Sequence, residues 1–214
     1  MRNKIFAELF GTALLLAVVT GSGVMGASLA AGNNAVALLG NSIATGCGLY
    51  VLITVLGPIS GAHFNPLVSL MMWQANVINL KNAIGYISAQ CIGAILGVWL
   101  THLMFGLSLI EVSSKPRNGV GQWLSELVST MILLTLIRLA LKYASEKVAM
   151  LIAMTVTAGY WFTSSTFFAN PAVTIARTLT DTFVGIAPAD LLLFISAQFV
   201  ALLFTVFWMK LEAK

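Results

Sequence analysis

Charged residues are scarce in this sequence. Only 8% of its 214 residues are Asp, Glu, Lys or Arg, whereas soluble domains carry about 25%. With 59% hydrophobic residues, the chain has more apolar side chains than a soluble core can bury, which predicts an integral membrane protein in a lipid bilayer. The net charge of +4 is therefore interpreted through its distribution among loops, and not as a sign of nucleic-acid binding.

Histidine and cysteine are also rare, with two of each. His63 and His102 belong to no Cys/His/carboxylate cluster with metal-ligand spacing. Cys47 and Cys91 each lie inside an apolar run and are interpreted as buried thiols rather than a disulfide pair. The sequence also lacks a Gly-rich phosphate loop, a nucleophile elbow and a carboxylate pair placed for acid–base chemistry. We therefore predict no enzymatic activity, no metal site and no cofactor.

Six apolar runs reach the length of about 20 residues that a membrane-spanning helix requires. They lie at roughly 5–28, 35–57, 82–106, 119–142, 147–164 and 188–209. Two shorter stretches, roughly 65–75 and 170–180, have about half this length, which suits re-entrant half-helices. The sequence therefore predicts an all-α membrane protein in which a bundle of six transmembrane helices and two re-entrant half-helices form a single domain over 1–214.

Lysine and arginine are distributed unevenly between the two ends of these runs. Six spans place the following residues on one side: Arg2, Lys4, Lys81, Arg138, Lys142, Lys147, Lys210 and Lys214. The opposite side carries Lys115 and Arg117 beside the acidic residues Glu111, Asp181 and Asp190. Because basic loops stay in the cytoplasm, we expect both termini there. The short loops and termini favour a bacterial inner membrane.

Two copies of one short motif interrupt the apolar pattern, Asn65-Pro66-Leu67 and Asn170-Pro171-Ala172. Asn is a preferred helix cap, and Pro suits the first helical position because it has no N–H to leave unpaired. Each motif is therefore predicted to start a half-helix inside the membrane.

The motifs belong to an internal repeat. Glu8 and Glu126 open equivalent runs, and Ser-Ala-Gln recurs at 88–90 and 196–198. The two halves, about 1–110 and 118–214, hold three spans each, and an odd number inverts the second half relative to the first. The two half-helices then meet near the midplane with their positive dipole ends.

The two asparagines are the leading candidates for a functional site. Asn65 and Asn170 can present amide N–H groups to a narrow pore and donate to a passing oxygen. Two donors beside two positive helix ends favour a neutral solute with lone pairs and oppose cations, hydronium included. The alternative is that both residues only cap their helices.

Backbone carbonyls that precede each motif form a second candidate set. Irregular backbone at membrane depth must be buried in protein or line a wet cavity. A file of water or polyol would satisfy these carbonyls, which belong to Gly61, Ala62, His63, Phe64, Thr166, Phe167, Phe168 and Ala169. For the His63 side chain, loop packing and a role in the pore both stay open.

Glu8 and Glu126 are carboxylates inside apolar spans, where ionisable residues are functional candidates by default. A proton relay is one interpretation. Their matched positions favour another, in which each carboxylate accepts hydrogen bonds from backbone N–H groups of the re-entrant loop in its own half.

Together these residues resemble the major intrinsic protein family, the aquaporins and aquaglyceroporins. The likeness is carried by Ser60-Gly61-Ala62-His63-Phe64-Asn65-Pro66, by the second Asn-Pro-Ala motif and by the paired Glu8 and Glu126, and it covers essentially the whole chain. It implies one pore per subunit, a homotetramer, and passive conduction of water or small neutral solutes.

Two departures from the family pattern bear on the cargo. Leu67 stands where the family has alanine, and we expect the larger side chain to crowd the junction of the half-helices. Val173 stands where an arginine usually follows the second motif. The nearest arginine, Arg177, lies one helical turn further on, and its role stays open.

The resemblance also locates a selectivity filter. Ungapped spacing from the motifs places it at Thr45, Ala158, Val173 and the carbonyl of Phe167. Small residues at the two span positions and the missing arginine imply a wider and less polar filter. We therefore predict a channel for water that also admits small neutral solutes, namely glycerol, urea and neutral arsenite or antimonite.

Two other functions stay open. Inverted repeats with broken helices also build secondary transporters, whose coupling site here would be Glu8 or Glu126. A non-conducting structural member is the second, because Leu67 or the unusual filter would be able to close the pore.

Overall fold

The computed structural model describes residues 1–212, which form eight α-helices and two 3-10 turns. The helices are α1 (Arg2–Leu29), α2 (Asn34–Ser60), α3 (Pro66–Gln74), α4 (Leu80–Phe105), α5 (Val120–Tyr143), α6 (Val148–Phe162), α7 (Pro171–Ala176) and α8 (Pro188–Glu212). The 3-10 turns lie at Ser145–Lys147 and Arg177–Leu179. The all-α architecture predicted from the apolar runs is confirmed. The predicted C-terminal charge Lys214 falls outside the described residues.

Five helices are long and apolar enough to cross a membrane, namely α1, α2, α4, α5 and α8. Helix α6 has 15 residues, which corresponds to about 22 Å at the usual rise of a helix. The 3-10 turn Ser145–Lys147 precedes it directly and adds about 2 Å per residue. The sixth predicted crossing is therefore built from a short helix and a tight turn.

The contacts between helices follow an inverted repeat. In the first half α1 packs on α2 and α4, and in the second half α5 packs on α6 and α8. Helices α2 and α6 contact each other across the halves. The half-helix α3 lies against α4 and α8, and α7 lies against α8 and α4, so each half-helix bridges both halves. This arrangement brings the starts of α3 and α7 to the centre of the protein.

Glycines let α4 approach α1 closely. A Cβ added at Gly93 would lie 2.3 Å from the carbonyl oxygen of Leu9, and one at Gly97 would lie 2.2 Å from that of Ala13. Small residues of this kind permit backbone contact between membrane helices. This contact holds the carboxylate of α1 near the polar side chains of α4.

Both cysteines are free thiols. The prediction that both are buried is wrong for Cys47, which is exposed on α2, and Cys91 is only partly buried. An apolar run on a membrane helix does not distinguish the lipid-facing side from the protein-facing side, because both are apolar.

Candidate functional site

Each half-helix starts at its asparagine, as the motifs predicted. The Asn65 side-chain oxygen accepts a hydrogen bond from Leu67 N at 2.9 Å. The Asn170 oxygen accepts from Ala172 N at 3.0 Å and from Val173 N at 3.3 Å. Proline occupies the first helical position in both. The asparagine oxygens are therefore used as caps, which leaves the amide nitrogens for other contacts.

Those nitrogens cross between the halves. Asn65 Nδ2 donates to the carbonyl of Ala169 at 2.7 Å, and Asn170 Nδ2 donates to the carbonyl of Phe64 at 2.8 Å. Both asparagines also line the central cavity, although each is no more than 5% exposed. An Nδ2 group carries two N–H donors, so each asparagine retains one for a solute.

The Glu8 carboxylate lies beneath the first re-entrant loop. Its Oε1 accepts from Ser60 Oγ at 2.6 Å and from His63 N at 3.0 Å. Its Oε2 accepts from Phe64 N at 2.8 Å and from Gln90 Nε2 at 2.8 Å. The carboxylate is fully buried and engages four donors.

The second half repeats this arrangement with Glu126, which is also fully buried. Oε1 accepts from Phe168 N at 3.1 Å, and Oε2 accepts from Ala169 N at 2.9 Å and from Gln198 Nε2 at 2.6 Å. Gln90 and Gln198 were part of the recognised repeat, but sequence reasoning assigned them no role. Their recurrence in register with the glutamates was the available signal.

These bonds hold an unusual backbone. Phe64 and Ala169 both have φ of 47°, and Thr166 and Phe167 have φ of 62° and 58°. Non-glycine residues in this left-handed region are strained and persist only where surrounding contacts impose the conformation. The carboxylates of α1 and α5 supply such contacts, because they bind the N–H groups of Phe64 and Ala169 directly.

A cavity of about 120 Å³ is lined by residues of both halves. Its wall is mainly aliphatic and aromatic. The polar side chains on it are Thr45, His63, Asn65, Tyr160, Asn170 and Arg177. The cavity thus offers a few hydrogen-bonding groups in an otherwise apolar passage.

Three of the four predicted filter residues lie on the cavity wall: Thr45, Phe167 and Val173. Ala158 does not, because it is exposed on the outer side of α6. Two residues further on, Tyr160 lines the cavity with its hydroxyl 3.2 Å from Thr45 Oγ1. Two residues rotate a helix by about 200°, so the ungapped spacing selected the wrong face. At this position the wall therefore carries the aromatic ring and hydroxyl group of Tyr160 instead of the small side chain of Ala158.

Leu67 does not crowd the junction, contrary to the expectation from its size. It is fully buried in a cluster with Met71, Leu134 and Leu202, and it is absent from the described cavity wall, on which Val68 lies instead. Consecutive helical side chains point about 100° apart, so the residue after Pro66 faces the neighbouring helices.

The predicted carbonyl set is only partly on the wall. Gly61, Ala62, His63, Phe64, Phe167 and Phe168 line the cavity. Thr166 and Ala169 are not among the residues described on it, and Pro66, Pro171 and Ala172 lie behind it as well. The carbonyls of Phe64 and Ala169 accept hydrogen bonds from the side chains of Asn170 and Asn65. These two carbonyls are therefore already engaged within the protein.

The His63 side chain combines the two interpretations that were open. Its Nδ1 lies 3.0 Å from Ser69 Oγ, and its ring packs edge-on against Tyr86 with 5.2 Å between ring centres. The same residue borders the cavity. The side chain is therefore packed against α3 and α4, and the residue also contributes to the wall.

Arg177, whose role was open, reaches the cavity wall. It is 2% exposed, its Nε donates to the carbonyl of Val184, and its guanidinium carbon lies 3.4 Å above the centre of the Phe168 ring. No acceptor among residues 1–212 is hydrogen-bonded to its two Nη atoms. A permanently charged donor thus stands in the cavity one turn beyond Val173.

The geometry agrees with known proteins. Residues 1–200 match the protein family described as Major intrinsic protein. The chain is 47% identical over 198 residues to aquaglyceroporin AqpS of Rhizobium meliloti, covering 92% of this chain and 84% of that one. It is 32% identical over 123 residues to aquaporin Z of Brucella melitensis, covering 57% and 53%. The solved structure of the aquaglyceroporin from Plasmodium falciparum has the same fold, with a TM-score of 0.70, 20% identity and coverage of 96% and 92%.

Proposed function

Because the chain belongs to the major intrinsic protein family, whose members are membrane channels and not enzymes, we propose that its cavity conducts small uncharged solutes as well as water. The observation that carries the proposal is the pair Asn65 and Asn170, which line an otherwise apolar passage and retain one N–H donor each. Such a passage suits neutral molecules with lone pairs, because their hydration is inexpensive to replace.

The same groups oppose ions. The two half-helices present their positive ends where the asparagines meet. Arg177 adds a fixed positive charge on the cavity wall. An arginine or the positive ends of half-helices exclude protons and cations in aquaporin-type pores generally. Cation exclusion in this chain therefore rests on the asparagine junction and on Arg177, although the usual arginine position is Val173.

The proposed cargo is glycerol, urea and neutral arsenite or antimonite. Thr45 and Val173 place small side chains on the cavity wall. Tyr160 adds an aromatic ring to the wall, with its hydroxyl 3.2 Å from Thr45 Oγ1. A polyol needs such a wall, with hydrogen-bonding groups on one side and apolar surface on the other. The similarity to a protein named aquaglyceroporin supports glycerol as a cargo.

We assign Glu8 and Glu126 to loop support rather than to transport coupling. Each carboxylate is fully buried and is engaged by backbone N–H groups and a glutamine. A coupling site must exchange its proton or ion with the pathway, and among the described cavity-wall residues neither glutamate is present. We also propose that 1–214 is one channel domain built from two halves, about 1–110 and about 118–214.

The setting of the channel is also proposed. The excess of lysine and arginine on one side supports cytoplasmic termini. The rhizobial relative supports a bacterial inner membrane. A homotetramer with one pore per subunit follows from the family resemblance. Chemical crosslinking of the purified protein would give a four-subunit limit if this assembly is correct.

The decisive experiment is stopped-flow light scattering on proteoliposomes given glycerol, urea or neutral arsenite gradients. We expect each solute to enter faster than in protein-free vesicles, with low temperature dependence and no effect of a proton or sodium gradient. Fast water flux with solute flux at the protein-free level would refute the permissive channel. Flux that required an ion gradient would favour a secondary transporter, and absence of all flux a structural protein.

A further inference from the structure

Three cations converge on one short backbone segment. Arg177 lines the cavity, whereas Lys115 and Arg117 are not among its described wall residues. The carbonyls of three consecutive residues, 183–185, each accept from a different cationic side chain. Lys115 Nζ donates to the carbonyl of residue 183 at 2.6 Å, Arg177 Nε to that of residue 184, and Arg117 Nε to that of residue 185 at 2.8 Å. Lys115 and Arg117 come from the connection between the two halves, whereas Arg177 follows the half-helix α7.

The segment is held rigidly in place. A Cβ added at Gly185 would lie 2.3 Å from Ser113 Oγ and 2.4 Å from the carbonyl oxygen of Thr180. Backbone bonds run from Ser113 N to the carbonyl of Thr178 at 2.9 Å and from Ala187 N to the carbonyl of Lys115 at 2.7 Å. The three cationic side chains are therefore anchored on a fixed frame.

None of the three cations has an ionic partner in the described part of the chain. Carbonyls stabilise individual N–H groups but do not neutralise a charge. Arg117 is 9% exposed and Arg177 is 2% exposed, and a buried charge without a counter-charge is costly. Arg177 lines the cavity, and neither of its Nη atoms has a hydrogen-bond acceptor among residues 1–212.

Nearby acids are engaged elsewhere. Asp190 accepts from the backbone N of Arg117 at 2.6 Å, and Asp181 accepts from Ser114 N at 2.8 Å. Glu126 acts on both arginines electrostatically, but its oxygens accept from its own loop and from Gln198. Arg117 Nη1 also donates to the carbonyl of Ser165 at 3.2 Å. The Nη donors of Arg177 therefore remain available to a ligand.

The charges of the cluster act on one another. Burial, together with the positive charges of Arg117 and Arg177, lowers the pKa of Lys115 to about 8 from the ordinary 10.5. Burial likewise lowers the pKa of Arg117 to about 10. A bound anion would relieve the repulsion that contributes to the first of these values.

The guanidinium of Arg177 is oriented for a planar ligand. The Phe168 ring covers one of its faces at 3.4 Å, and Nε is already bonded. The remaining donors are those of the two Nη atoms, which lie in the guanidinium plane and form a fork. Such a fork matches a planar oxyanion through two parallel hydrogen bonds.

We propose that the cavity wall at Arg177 binds a small, planar, monovalent oxyanion of the carboxylate or nitrate class on the Nη fork of this residue, with Arg117 and Lys115 supplying additional positive charge. The anion does not pass, because the wall beyond is mainly apolar and offers no replacement for its hydration. It occupies the passage and slows neutral solutes, an effect that rests on the proposed channel function.

Sodium nitrate is the probe, with sodium chloride at equal ionic strength as the reference. Nitrate is planar and, as the anion of a strong acid, does not cross the bilayer in neutral form. Binding is measured as the thermal unfolding midpoint of the full chain in detergent. The midpoint in nitrate minus the midpoint in chloride should be larger for the wild type than for Arg177→Met. Comparing the two proteins in this way cancels the general effects of salt on stability. Equal differences would overturn the proposal.

Flux provides the second measurement. Glycerol entry into wild-type proteoliposomes should fall about two-fold when nitrate replaces chloride at a concentration equal to its Kd. Arg177→Lys keeps the charge but loses the fork, so nitrate and chloride should become equivalent. Lys81→Met, which removes an exposed lysine from the first turn of α4, should respond as the wild type does.

Lys115→Gln keeps the proposal testable if Arg177→Met does not fold. It leaves the fork intact and removes one supporting charge, so the nitrate effect on the midpoint should weaken. An unchanged effect would refute the cationic cluster as an anion site. If wild-type vesicles conduct no glycerol while the midpoint difference persists, the channel proposal fails and the anion site stands.

Discussion

Asn65 and Asn170 each donate a hydrogen bond to the carbonyl of the residue that precedes the other asparagine, at 2.7 Å and 2.8 Å. Each side chain therefore caps its own half-helix through its oxygen and ties down the opposite loop through its nitrogen. The two halves are locked at the point where their half-helices meet. One N–H of each amide remains for the solute path.

Replacing Asn170 by Asp should weaken this lock. The capping oxygen is retained, but the donor is lost and a carboxylate oxygen is placed against the carbonyl of Phe64. A buried acceptor left without a donor costs about 1–3 kcal/mol, and more with a charge nearby. Thermal unfolding in detergent should show a lower midpoint for Asn170→Asp than for the wild type.

The matched control is Asn33→Asp. Asn33 caps α2 at an exposed position and makes no crossing bond among those described. Aspartate caps helices about as well as asparagine, so its midpoint should stay near that of the wild type. Equal losses for Asn33→Asp and Asn170→Asp would show that the crossing bond contributes nothing to stability.

Val173→Arg should restrict the cavity to water. Val173 lies on the wall beside the Asn170 cap, and an arginine there adds bulk and a second charge near Arg177. Sites that exclude a solute by one or more extra methylenes discriminate by about ten-fold, so glycerol flux should fall about that much more than water flux. Stopped-flow measurements on proteoliposomes give both rates.

Val173→Leu separates bulk from charge in the same assay. It should lower glycerol flux less than Val173→Arg does. Equal loss of water and glycerol flux in Val173→Arg would mean that this position lies outside the filter.

Leu67→Ala should lower stability without changing selectivity. Leu67 packs against Met71, Leu134 and Leu202 away from the cavity. Removing a buried leucine side chain costs about 2–5 kcal/mol, whereas the glycerol-to-water flux ratio should stay constant. Leu67→Met conserves most of the volume and should cost less than about 1.5 kcal/mol. A raised glycerol-to-water ratio in Leu67→Ala would instead identify Leu67 as a pore constriction.

Lys115 should change charge near neutral pH. Burial and the charges of Arg117 and Arg177 lower its pKa to about 8. A lysine is charged below its pKa, so Lys115 should be mostly protonated at pH 7 and mostly neutral at pH 9. Reductive methylation with a carbon-13 label gives one NMR signal per lysine, and the signal absent from Lys115→Arg should titrate with a midpoint of about 8. A midpoint near the ordinary 10.5 would contradict this packing.

Local chemistry explains the parts of the site that could be predicted from the sequence. In an Asn-Pro pair the asparagine caps a helix and the proline suits its first position. Both half-helices therefore begin at the predicted motifs. Matched positions in the two halves identified Glu8 and Glu126 as candidates for binding the re-entrant loops. The matched glutamines were visible too, but only the packing of α4 on α1 and of α8 on α5 shows that they bind the same carboxylates.

The sequence could not predict which side of each helix faces the cavity. Tyr160 rather than Ala158 lines the cavity, because two residues turn α6 by about 200°. Leu67 faces neighbouring helices for the same reason, although its size suggested an obstruction. Arg177 enters the wall because Phe168 and the carbonyl of Val184 hold its guanidinium there. The relative positions of Arg177, Phe168 and Val184 depend on how the helices and loops pack together.

The sequence by itself determined the class of protein, the inverted repeat and the chemistry at the centre. Apolar length, helix caps and the parity of the spans are properties of short segments, and they hold whatever the packing. Only the tertiary structure decided which side chains form the wall: Tyr160 and Arg177 on it, Leu67 and Ala158 away from it. The physical reason is that the rotation of each helix about its own axis decides which of its side chains face the pore. The lipid-facing and protein-facing sides of a membrane helix are both apolar, so hydrophobicity does not fix this rotation.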